Sequence, residues 1–138
     1  MKRAVILIGD ATTTQSVRRG LAELGYDTEV ASSAVEGLSA LQGAVPHLLV
    51  LDLGIDEGGG LAVLQVLRRS RSTRGLPVLV LGPPGTELME TAHALDAAGP
   101  FVPGSAASLQ MWVEVATSSY SSSSSDSYRA APGGLGAS

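Results

Sequence analysis

Cysteine is absent from all 138 residues. Structural disulfides, thiolate catalysis and Cys-ligated zinc are thereby excluded. Aromatic side chains are scarce: one Trp, one Phe and three Tyr. A core must therefore be built from Leu, Val, Ile and Ala, which suits a parallel sheet covered by helices. Long apolar runs are missing too. Lys2 and Arg3 are followed only by Ala-Val-Ile-Leu-Ile, a strand's length and too short for a membrane span or a secretory signal. The expectation is a cytoplasmic protein with no membrane association. Nor is there an excess of positive charge: 9 Lys and Arg stand against 13 Asp and Glu, so electrostatics gives no reason to expect a nucleic-acid partner. Arg68, Arg69, Arg71 and Arg74 do cluster, and the expectation there is a solvated helix end favoured by the helix dipole.

What is present alternates in period. Ala4 to Ile8 is a continuous apolar run, as in a strand buried on both faces. Thr12 to Leu24 has helical spacing at Val17, Leu21 and Leu24, with Gly25 as C-cap. Asp27 to Ala31 reads as a second strand. Ser33 and Glu36 form a capping-box pattern that opens a helix ending at Gly43. His47 to Leu51 is a third strand, followed by a loop with Asp52, Asp56, Glu57 and three glycines, then a helix from Leu61 to Arg69. Pro77 to Leu81 is a fourth strand, Thr86 or Glu87 starts a helix, Pro100 to Val102 with Pro103 reads as a short fifth strand, and Ser108 to Ala116 as a last helix.

Strand and helix thus alternate five times with short connections. That order predicts a doubly wound, five-stranded parallel sheet with five helices and strand order 2-1-3-4-5. In such sheets, sites form beyond the carboxyl ends of strands 1 and 3, and Asp10 and Asp52 follow those strands. The domain is expected over residues 1–116. Residues 117–138 are rich in Ser and Gly and are expected to be a flexible tail or linker.

Val5-Ile6-Leu7-Ile8-Gly9-Asp10, Leu49-Val50-Leu51-Asp52-Leu53, Gly60-Leu61 and Pro77 to Leu81 together resemble the receiver domain of response regulators, the CheY-like branch of the flavodoxin-like folds. The resemblance covers roughly residues 2 to 116. It implies that Asp52 is the phosphoacceptor position, and that Asp10, Asp52 and the Gly54 carbonyl are the positions of a weak magnesium site. A divalent cation is needed in such sites to offset phosphoryl charge. It also implies losses. Gly9 stands where the family has a second acid, Gly82 where it has Thr or Ser, and Asp56 where it has Pro. The family's lysine position is placed at Gly104, followed by Ser105 in place of the usual Pro, and Lys2 is the only lysine in the chain. Phe101 is placed on the family's switch aromatic.

The plainer readings stand beside these. Asp52 is then a vestigial loop carboxylate, Asp10 a helix cap, and Asp56 and Glu57 a solvated loop. His47 and His93 are satisfied or exposed histidines. Gly82-Pro83-Pro84-Gly85 lacks the Gly-Lys-Ser/Thr ending of a phosphate loop.

The expectation is a non-enzymatic, degenerate receiver that requires no cofactor. It binds a protein partner through the face of helix 4, strand 5 and helix 5, around His93, Phe101 and Trp112. The alternative is a working phosphorelay receiver served by a histidine kinase. A third reading is a flavodoxin-like domain that binds a nucleotide or flavin at the same sheet edge.

Overall fold

The computed structural model describes residues 2–122. Its strands are β1 (Lys2–Leu7), β2 (Tyr26–Ala31), β3 (Leu48–Asp52) and β4 (Val78–Leu81). Its helices are α1 (Ala11–Glu23), α2 (Ala34–Gly43), α3 (Ile55–Arg69), α4 (Glu87–Ala94) and α5 (Ala106–Ser122). The sheet is parallel, in the order β2-β1-β3-β4.

Alternation along the strands divides the core in two. Val5, Leu7, Leu49, Leu51, Val78 and Val80 face α2, α3 and α4. Ala4, Ile6, Ile8, Leu48, Val50 and Leu79 face α1 and α5. Both faces are covered, which explains why the strands read as unbroken apolar runs rather than as alternating ones.

The expected fifth strand does not form. The chain after α4 runs beside β4, but it makes only one isolated bridge, Leu79 to Ala98. Val80 N–H donates to Ala98 O at 2.7 Å and Ala98 N–H to Val78 O at 2.9 Å. The regular ladder then fails: Pro100 has no N–H to donate, Phe101 N–H reaches Val80 O only at 3.4 Å, and Val102 N–H donates to Ser108 Oγ. The sheet therefore has four strands among the described residues, not five.

Caps set the helix starts. Ser33 Oγ accepts from Glu36 N–H at 3.2 Å, and Thr86 Oγ1 accepts from Met89 N–H at 3.2 Å. Glu36 completes its half of the capping pattern one residue early, on Ser32 N–H at 3.0 Å. The first turn of α3 is kinked: Asp56, Glu57 and Gly58 have left-handed backbone angles, with φ of 52°, 58° and 104°. The regular helix follows them, close to the expected start. At the other end of the chain, α5 continues to Ser122, past the boundary expected at Ala116. Residues 123–138 of the expected tail lie outside the described residues.

Candidate functional site

The register pairs Leu7 with Leu51, so β1 and β3 end side by side and release Asp10 and Asp52 at the same sheet edge. The two carboxylates are engaged locally. Asp52 Oδ1 accepts from Gly54 N–H at 2.9 Å, an Asx-type turn. Asp10 Oδ2 accepts from Thr13 Oγ1 at 2.6 Å and Thr13 N–H at 2.8 Å. Asp10 is thus the N-cap of α1, as the plainer reading had it. The Thr13 hydroxyl, and then its amide, hold the exposed Asp10 carboxyl below its ordinary pKa.

These donors do not fit a tight divalent-cation site. No group of three His, Cys, Asp or Glu side chains comes together among the described residues. Gly9 supplies no second acid, and a Cβ there would stand 3.7 Å from Ile55 Cγ1. Ile55 is itself buried, so an apolar side chain packs beside the vacated position.

Gly82, which the sequence reading matched to the hydroxyl position, is likewise flanked by apolar side chains. A Cβ on Gly82 would stand 3.3 Å from the Met89 methyl and 3.6 Å from Leu53 Cδ1, and both side chains are buried. Neither contact is legible in the sequence, because Met89 also fits the ordinary apolar stripe of α4.

Gly104, where the sequence reading placed the lysine position, does not directly follow the segment that runs beside β4. That segment is centred on Ala98. It is followed by Gly99-Pro100, joined by a cis peptide bond. Gly104 lies further along, just before α5, in a left-handed conformation. Gly99 also has a φ that side chains rarely adopt, 126°, and a Cβ on it would stand 2.5 Å from Val80 O.

One of the expected partner residues, Phe101, is not exposed. His93 is exposed on the last turn of α4, where its Nε2 lies 2.8 Å from Gly99 O. Trp112 is half-buried against the core. Phe101 is buried at 3 % exposure within the α1/α5 core, an anchor rather than a contact residue. Val102, Met111 and Val115 are large apolar side chains exposed in that region.

Two side chains expected to be solvated do structural work. Asp56 Oδ2 accepts from Ala34 N–H at 2.8 Å and so ties the kinked turn of α3 to the start of α2. Arg68 is half-buried, and its guanidinium donates to carbonyls: Leu95 O at 2.7 Å, Leu76 O at 2.9 Å and Arg74 O at 3.0 Å. Longer bonds reach Asp96 O and Thr73 O. Desolvation lowers its pKa, against the pull of the Asp96 charge. The bonds to Leu95 O and from Ala34 N–H join residues 27 and 22 positions apart, which leaves no local pattern to read.

No family model matches the chain. Sequence similarity reaches the DNA-binding dual master transcriptional regulator RpaA of Synechocystis, at 33% identity over 81 residues. The matched stretch is 59% of this chain and 34% of RpaA. The response regulator MprA of Mycobacterium avium is 38% identical over 80 residues, 57% of this chain and 34% of MprA. The chain thus spans about a third of the curated relatives it matches. Among solved structures, a response regulator from Chloroflexus aurantiacus superposes with TM-score 0.76 at 21% identity, covering 85% of this chain and 98% of that one. The chemotaxis response regulator CheY4 of Vibrio cholerae also gives 0.76 at 21% identity, covering 84% and 98%. No described helix is long and apolar enough to cross a membrane. With four parallel strands, five helices and these neighbours, the described residues carry the CheY-like receiver fold of response regulators.

Proposed function

We propose that this domain serves signal transduction as a receiver-like recognition module whose partner contacts do not depend on phosphorylation. The observation that carries this reading is Gly99. Gly99, at the end of the segment along β4, has no room for a side chain, so on this reading a phosphate-pairing lysine at that point is excluded by the backbone itself. Met89 packs at the hydroxyl position and Ile55 beside the missing acid. A modification shifts a conformational equilibrium only through contacts that differ between the two states. Here the three groups that would make such contacts are gone.

On this reading the domain is a cytoplasmic, non-enzymatic module that requires no cofactor and binds a protein. The partner face lies around His93, Val102, Met111 and Trp112, with buried Phe101 holding it in place. A second reading, a phosphorelay receiver that accepts phosphate on Asp52 from a histidine kinase, draws support from one observation. Asp52 remains half-exposed at the end of β3. The response regulators it matches are consistent with either reading.

Beryllofluoride with magnesium, which imitates an acyl phosphate, separates the two in amide NMR spectra. The expected result is no change beyond the immediate neighbours of Asp52. Shifts spreading to α4 and Phe101 at low millimolar ligand, on the order of the affinity a few contacts provide, establish the phosphorelay reading instead.

A further inference from the structure

The sheet has a second edge, where the strands begin, opposite Asp10 and Asp52. Lys2 opens β1, Tyr26 opens β2, Pro46 and His47 precede β3, and Leu76 and Pro77 precede β4. These residues line one concavity of about 640 Å³. Its charge is one-sided. Lys2, Arg71 and Arg74 are three of the chain's nine Lys and Arg residues, and no described Asp or Glu lines it. This happens on a chain of net charge −4.

The basic groups have little to occupy them. The ion pair among the described residues is Arg3 with Glu29, outside the concavity. Lys2 Nζ lies 5.2 Å from the centroid of the Tyr26 ring, a cation–π contact that leaves its N–H donors available. Arg3 N–H donates to His47 Nδ1 at 3.0 Å. A ring nitrogen that accepts cannot carry the proton, so neutral His47 is protonated on Nε2 and offers a donor there.

We infer that this concavity binds a small phosphomonoester with an organic body. Two guanidinium groups and an ammonium group suit phosphate oxygens, which accept paired, charge-assisted bonds. The volume falls in the range of small-molecule sites, about 300–1,000 Å³, and exceeds what a bare phosphate fills. Val45, Pro46, Leu76 and Pro77 supply apolar lining for the rest of the ligand. This inference stands apart from the reading of the Asp52 edge, because the two sites share no residue.

Adenosine 5′-monophosphate, adenosine and inorganic phosphate are the probes, added in turn to the full chain at low salt and followed by amide NMR. The monophosphate is expected to shift His47 and the segment from Arg71 to Gly75. Adenosine should leave them unmoved, and inorganic phosphate should bind roughly tenfold more weakly. Arg71 and Arg74 are exposed, so R71A/R74A should keep the native spectrum while losing roughly tenfold or more in affinity for the monophosphate. The assignment is overturned if adenosine binds as well as its monophosphate, or if the double variant binds unchanged. It is equally overturned if nothing shifts at roughly 10 mM, or if the shifts map to Asp52. Inorganic phosphate binding as tightly as the monophosphate removes the organic body from the assignment.

Discussion

Gly99 lies against Val80 so closely that a Cβ on Gly99 would stand 2.5 Å from the Val80 carbonyl oxygen. That oxygen is part of β4 and cannot move without disturbing the sheet, and Gly99 also needs a positive φ. Introducing a lysine by Gly99→Lys should therefore destabilise the fold, by about 1–3 kcal/mol or more, without conferring phosphorylation. Urea unfolding and intact mass after exposure to a small phosphodonor check the two halves. A stable Gly99→Lys protein that gains phosphate would show the site to be restorable.

Arg68 should be the costliest arginine to lose. Its guanidinium bonds carbonyls from the α3–β4 connection and from the end of α4 at once. Arg68→Ala leaves buried or half-buried carbonyls without a donor, at about 1–3 kcal/mol. Arg68→Lys should recover only part of this, since an ammonium cannot span the same fork. Arg69→Ala, on an exposed side chain, should change the unfolding midpoint little.

Two glycines should respond in opposite directions. A Cβ on Gly60 would stand 2.7 Å from Leu53 Cα, with the Asp52 carbonyl oxygen closer still. Gly60→Ala should cost stability at the upper end of about 1–3 kcal/mol. Gly43 ends α2 with nothing within 4 Å of the added atom, so Gly43→Ala should stabilise by about 0.4–1 kcal/mol. Paired denaturation curves read both.

Asp10 should make the start of α1 sensitive to acid. Its pKa is lowered in the folded state. The stabilisation is therefore present above the unfolded-state value, about 3.9 for an aspartate, and is lost as pH falls through the lowered folded value. Amide exchange at Thr13 should rise over that window. Asp10→Ala should raise it at neutral pH and remove the pH dependence, and an unchanged Thr13 amide in that variant would exclude the cap.

Much of the architecture was decided locally, within each segment. Unbroken apolar runs at Ala4–Ile8, Leu48–Leu51 and Val78–Leu81, separated by capped amphipathic helices, specify parallel strands buried on both faces whatever their neighbours are. The missing acid at Gly9, the missing hydroxyl at Gly82 and the near absence of lysine are likewise properties of the chain itself. Tertiary structure decided what packs around Gly9 and Gly82. Pro100 and Pro103 offered a plausible short strand, yet the ladder needs N–H groups that proline lacks. The segment along β4 accordingly makes one bridge, at Ala98, and Phe101 turns into the core. Arg68 and Asp56 looked solvated because their acceptor and donor partners, Leu95 O and Ala34 N–H, are 27 and 22 residues away. The basic concavity was invisible for the same reason: it is assembled from the starts of β1 and β2 and the segments leading into β3 and β4, which only the folded sheet brings to one edge.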